Sequence, residues 1–222
     1  MSRNLLLSGA IVLALIAVVA TLAIAIESPA EGESEAVATV DPAGTPVPVV
    51  TDTMHRLSTA EDGKVTLTEF LDFECESCGA IYPAIEQLRE RYAGRVTFAF
   101  RYFPNNGHFN AMNAAAAVEA ASKQGKTEAM YQRLFETQAE WGEAQESKRQ
   151  LFVGFAEDLG LDMDQFVRDL DDPATIERIV SDRDAGLALG VTGTPTIFIN
   201  ERLVELESLE QLVSEIDAAL AG

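Results

Sequence analysis

Two cysteines and two histidines are the only thiol and imidazole side chains in this 222-residue chain. A structural zinc site ordinarily takes four such ligands in closely spaced pairs. His55 and His108 have no paired spacing, so two ligands would have to come from long range or from carboxylates. Neither a metal centre nor a bound cofactor is expected. Basic residues are scarce as well, 16 Lys and Arg standing against 36 Asp and Glu for a formal net charge of −20. A field of that sign disfavours nucleic acid and anionic lipid surfaces as partners, and its ordinary use is solubility. No repeat of fixed period is present, which excludes a solenoid.

What is present begins with an apolar run. Leu5 to Ile26 is broken only by small or weakly polar residues (Ser8, Gly9, Thr21). At about 1.5 Å per helical residue it is long enough to cross about 30 Å of hydrocarbon. Arg3 precedes it and Glu27, Glu31, Glu33 and Glu35 follow, so the charge asymmetry puts the N-terminus in the cytoplasm and the rest of the chain outside. Ala23-Ile24-Ala25 has the form of a signal-cleavage site, and a removed signal peptide is the competing reading. The length of the run favours an uncleaved anchor over residues 1–26. Either way the following domain faces an oxidising space. Residues 27–47 are rich in Pro, Ala, Gly, Glu, Ser and Thr without apolar periodicity and read as a flexible tether. Residues 48–222 are long enough for one domain with a sizeable core.

Within that domain, Lys64–Phe73 has the β-branched and aromatic density of a strand buried on both faces. Ile81, Ile85, Leu88 and Tyr92 then recur at helical spacing, with Pro83 expected to kink the helix and Gly94 closing it. Arg95–Phe103 alternates as a second strand, which implies parallel pairing through a right-handed crossover. Helical patterns fill residues 108–125, 127–141, 147–160 and 164–189, the last interrupted near Asp171-Asp172-Pro173. A short strand after Pro195, a hairpin partner at Leu203–Leu206 and a final amphipathic helix complete the order. The sum is an α/β fold: β-α-β, a helical block, then β-β-α, with helices on both faces of a mixed sheet.

Both cysteines fall in FLDFECESCG, directly after the first strand. As a staple, a disulfide closing four residues is a weak choice. The loop-entropy formula gives it about 2 kcal/mol, against about 4.7 for a 100-residue loop. Reversible exchange suits the spacing better. At a helix N-terminus, free N–H groups and the macrodipole lower the pKa of the first thiol, Cys75, while Cys78 lies one turn in and shielded. Cys75 is then the attackable sulfur and Cys78 the resolving one, acting on substrate cysteines through a mixed disulfide.

A strand, a C-x-x-C opening a helix, Pro83 eight residues after Cys75, and Thr194-Pro195 ahead of a late strand resemble the thioredoxin fold. The helical block and the membrane targeting are similar to its DsbA-like thiol–disulfide oxidoreductase branch, over roughly Lys64 to Ala221. The resemblance implies a thioredoxin-like fold with a helical insertion, here preceded by a single transmembrane helix. It implies that Pro195 is cis and packs against the cysteine pair, with Thr194, Glu76 and Ser77 meeting an extended substrate. It also implies that Glu69, six residues before Cys75, is a buried acid that relays a proton to or from Cys78. His108 reads as a helix-entry or surface residue, since no pairing partner can be read from sequence.

Glu76-Ser77 stands where strongly oxidising relatives tend to carry proline and histidine, and Glu74 precedes the pair. Like charges there should raise the Cys75 pKa and make the disulfide less oxidising. The function expected is a membrane-anchored, extracytoplasmic oxidase of cysteine pairs in secreted proteins, recharged by a separate membrane electron acceptor. A reductase or isomerase of the same fold, or a non-enzymatic peptide-binding or chaperone-like module, is the alternative.

Overall fold

The computed structural model describes residues 46–222; the expected anchor and all but the last two residues of the expected tether lie outside them. Among the described residues no helix is long and apolar enough to cross a membrane. The elements run β1 (His55–Ser58), β2 (Thr66–Leu71), α1 (Glu76–Arg91), β3 (Thr97–Tyr102), α2 (Ala111–Ser122), α3 (Thr127–Glu136), α4 (Gln138–Trp141), α5 (Arg149–Asp158), α6 (Met163–Leu170), α7 (Pro173–Ala188), β4 (Thr196–Ile199), β5 (Arg202–Val204) and α8 (Leu209–Ala221).

One sheet, in the order β1-β3-β2-β4-β5, contains the five strands. Among the described residues only β2 and β3 pair in parallel, as the intervening α1 demands, and β1, β4 and β5 are antiparallel to their neighbours. Central β2 is buried along its whole length, which explains why its sequence runs apolar rather than alternating. Leu67 packs with Ile85, Leu88 and Tyr92 of α1 and with Leu212 and Ile216 of α8. Leu71 of β2, Phe73 just after it and Phe100 of β3 continue into the helical block around Tyr131, Trp141, Phe152 and Phe166.

Phe70, pointing to the other face by strand alternation, meets Phe103, Phe198 and Val49. Helix α7 lies directly against that face at Gly186, where a Cβ would come within 2.8 Å of Phe103 Cδ2 and 3.1 Å of Phe70 Cδ1. Gly186→Ala is therefore expected to cost about 1–3 kcal/mol through overpacking. It should appear as a lower denaturant midpoint with an unchanged slope, and an unchanged midpoint would show that the helix simply slides.

The charged residues of this face form a single buried knot. Asp182 of α7 accepts from Arg101 Nε at 2.8 Å and from the Tyr102 N–H at 3.2 Å, and pairs with Arg178 at 2.6 Å. Arg101 also reaches the carbonyls of Pro48 and Val49, and the N–H groups of Val49 and Val50 donate to the Glu201 carboxylate. The chain is thus fastened across the sheet before its first strand begins.

Three expectations change. β1 is an additional strand that the sequence reading lacked. At four residues, HRLS is too short and polar to register a period, and it is recruited by pairing with β3. The expected helix over 127–141 divides at Thr137, whose hydroxyl donates to the Arg133 carbonyl and whose backbone leaves helical geometry. The hairpin partner is Arg202–Val204, displaced toward the turn because Asn200 takes a positive φ of 53° and lets the chain reverse in two residues. By contrast, Asp172 caps α7 with Pro173 at its first position, as the Asp-Asp-Pro interruption leads one to expect. Helix α1 runs continuously through Pro83.

Candidate active site

The end of β2 delivers a tight turn. The Asp72 carboxylate accepts the Glu74 N–H at 2.9 Å, and its carbonyl accepts the Cys75 N–H at 3.1 Å. Cys75 thereby takes the N-cap position of α1, and its own carbonyl receives the Gly79 N–H at 3.0 Å. Cys78, one turn in, is fully buried, while Cys75 is 9% exposed. The two sulfurs are not bonded to one another.

Their acidities are driven apart. Cys75 is lowered from 9.0 to about 5: the Cys78 thiol hydrogen-bonds to it, outweighing the cost of burial, with further help from Thr194 and from the N–H groups of Cys78 and Ser77. Cys78 is pushed well above its ordinary value, first by burial, then by donating to Cys75 and by the charge of Glu69. The net shift of Cys75 is downward, contrary to the sequence expectation, although Glu76 and Cys75 repel one another. Glu74 is buried and turns away, its carboxylate capping the N–H of Asn110 at the start of α2. Glu76 is exposed to solvent and shares a hydrogen bond with Glu143, which raises its own pKa. Hydrogen bonds at the sulfur outweigh the charges around it.

Opposite the pair, the Thr194–Pro195 peptide is cis, and the Thr194 carbonyl lies 3.3 Å from Cys75 Sγ. Pro195 and Ser77 also line a cleft of about 480 Å3, walled by Ala80, Ile81, Leu206 and Leu209 among others. Glu69 is buried in β2 beneath the cysteines, and burial first, then the Cys75 charge, raises it from 4.5 to about 8. Among the described residues no group of three or more His, Cys, Asp or Glu is placed to hold a metal ion.

Two partners of this turn were not legible in the sequence. Gln138, at the start of α4, donates its amide to the carbonyls of Phe73 at 2.7 Å and Cys75 at 2.9 Å. Its side chain fits only because residue 79 is glycine: a Cβ there would stand 2.0 Å from Gln138 Oε1. His108 precedes α2 rather than opening it, and its Nδ1 is 2.6 Å from Asp72 Oδ2. Asp72, in the quoted motif itself, was the available signal.

The paired shifts fix a pH dependence. Glu69 keeps its proton in the folded protein between about 4.5 and 8 while the unfolded chain has lost it, so stability falls as pH rises through that window. Cys75 works the other way: the folded protein loses the proton first, so stability rises between about 5 and 9. The disulfide form lacks the second contribution. Its unfolding midpoint should decline from pH 5 to 8 while that of the dithiol form stays nearly level. Parallel curves for the two redox forms would contradict the assignment.

A parallel-strand crossover whose helix opens on two thiols of opposed acidity, faced by a cis-proline, defines the class: a DsbA-like protein of thioredoxin-like fold. The chain belongs to the thioredoxin family, whose family model, described as Thioredoxin, matches residues 52–218. Among solved structures it is similar to oxidised BdbD from Bacillus subtilis, with 21% identity and TM-score 0.68 over 79% of this chain and 97% of that one. It is also similar to the thiol-disulfide exchange protein alpha-DsbA2 from Wolbachia pipientis, with 26% identity and TM-score 0.64 over 77% and 89% of the two chains. A curated relative, the Na(+)/H(+) antiporter NhaA of Herminiimonas arsenicoxydans, is 33% identical over 155 residues, which are 70% of this chain and 24% of that protein. The chain thus spans about a quarter of the length of the curated relatives that it matches.

Proposed function

We propose that this chain is an extracytoplasmic thiol–disulfide oxidoreductase that introduces disulfides into secreted or membrane proteins, tethered by residues 1–47 to the membrane. The observation that carries the reading is the separation of the two thiols, Cys75 lowered to about 5 and Cys78 driven high behind it. A stabilised Cys75 thiolate stabilises the reduced form, and a couple with a stable reduced form is a strong oxidant. That favours oxidation over reduction or isomerisation. The fold likeness to a thiol-disulfide exchange protein supports the same chemistry.

A substrate thiolate attacks Cys75 Sγ of the disulfide; the S–S bond breaks, and its electron pair goes to Cys78. The protonated carboxyl of Glu69 supplies that sulfur with its proton. Thr194 and Pro195 present an extended edge to the substrate chain, with Glu76 and Ser77 flanking it. A second substrate thiol then completes the transfer. The apolar cleft beside Pro195 suits an apolar peptide, including that of a membrane electron acceptor that restores the disulfide.

The test is the equilibrium of the Cys75–Cys78 couple with glutathione. A potential well above that of cytosolic thioredoxin, about −270 mV, is expected. A value at that level would replace the oxidase reading with the reductase one.

A further inference from the structure

We infer that His108, fixed by Asp72, is a positioning residue for exchange at Cys75, holding a positive charge near the sulfur that must leave as a thiolate. The inference rests on the exchange reading above and adds a residue from outside the C-x-x-C segment to it. Asp72 is the connection. Its Oδ2 lies 2.6 Å from His108 Nδ1 and accepts the Asn105 N–H at 2.8 Å, while its backbone carbonyl holds the Cys75 N–H. One residue, by its side chain and its carbonyl, therefore ties the loop before α2 to the backbone of Cys75. Asp72 is buried, whereas the His108 side chain is 29% exposed. Nδ1 is committed to Asp72, and among the described residues no side chain or backbone group bonds Nε2.

The groups facing His108 are all acids. Asp72 and Glu74 come from the turn, Cys75 and Glu76 from the start of α1, and Glu143 stands behind Glu76 from the loop after α4. Partial burial pulls the imidazole pKa down, but the hydrogen bond and charge of Asp72, then the charges of Cys75 and Glu74, hold it above its ordinary value. The cation that the Glu-Ser motif lacks is supplied from another loop.

In the product-forming step, a second substrate thiolate attacks the substrate sulfur of the mixed disulfide. The bond to Cys75 breaks and its electron pair stays on Cys75 Sγ. The substrate leaves oxidised by two electrons as the protein pair is reduced. No proton has to reach Cys75, so a neighbouring cation is what this step uses.

Two measurements test this. With only two histidines in the chain, their ring signals can be followed against pH in the wild-type disulfide and dithiol forms by NMR. Reciprocal coupling requires His108 to titrate higher in the dithiol form. In His108→Gln, the thiolate absorbance of Cys75, assigned by its loss in Cys75→Ser, should shift its midpoint upward by about 1 pH unit, the loss of one nearby opposite charge. The glutathione equilibrium should move about tenfold toward the disulfide, about 30 mV. His108→Lys, which keeps a cation, should restore most of both shifts. A purely structural role would lower the unfolding midpoint and leave these values in place. Identical His108 titrations in the two redox forms, or wild-type midpoint and equilibrium in His108→Gln, overturn the inference while normal wild-type exchange leaves the exchange reading standing. A wild-type protein inert toward glutathione disulfide overturns both.

Discussion

Replacing Cys78 with Ser should arrest the protein as covalent complexes through Cys75. In the variant, the Cys75 thiolate still attacks a substrate disulfide or oxidised glutathione: its sulfur bonds to one partner sulfur and the other departs as a thiolate. Release then requires a second thiol. In the wild type that thiol is Cys78, one helical turn away and hydrogen-bonded to Cys75. Well-oriented intramolecular groups act at effective concentrations of roughly 10⁵ M or more, so release by an external thiol at millimolar level is far slower. Mass spectrometry of protein incubated with oxidised glutathione should show near-complete adduct on Cys78→Ser, reversed by dithiothreitol, and none on Cys75→Ser. If both single variants capture substrate equally, and the doubly substituted protein holds it as well, the cleft binds peptides without exchange and the enzymatic reading fails.

The largest expected loss of stability lies on the opposite face of the sheet. Asp182→Ala removes the acceptor of Arg101 Nε and of the Tyr102 N–H, and the partner of Arg178. Arg101 is 4% exposed and stacks over the Phe70 ring at 5.0 Å, so its charge is left in an apolar setting with only the Pro48 and Val49 carbonyls. Breaking a buried pair in this way costs about 3–5 kcal/mol, much of the 5–15 kcal/mol by which a domain is typically stable. Equilibrium unfolding should show a large drop in midpoint. Glu215→Gln, which removes the partner of half-exposed Arg202, should change stability by less than about 1 kcal/mol. Equal effects from the two would mean that Asp182 is not the hub that its three contacts make it.

The pattern of burial governs how much of this could be read in advance. Strands buried on both faces and helices with strong periodicity declare themselves, so the β-α-β start, the helical block and the closing helix were legible. Strand β1 was not, because its order comes from β3 rather than from its own four residues. The cysteines could be located by their spacing, and Glu69 and the Thr194-Pro195 pair by the resemblance to the thioredoxin fold. The direction of the Cys75 shift could not, because it depends on where Glu74 and Glu76 turn, and one is drawn under α2 while the other shares a hydrogen bond with Glu143. Gln138 and His108 reach the turn from positions 63 and 36 residues away from the groups they bind, Cys75 and Asp72. Separations of that kind leave no local periodicity.

The amide of Gln138 and the bare α-carbon of Gly79 occupy one another's room. These two positions must therefore drift together in descent. Homologues bearing a larger residue after the second cysteine should have a shorter or redirected one at the position of Gln138, and an alignment in which the two vary independently would deny that the space is shared.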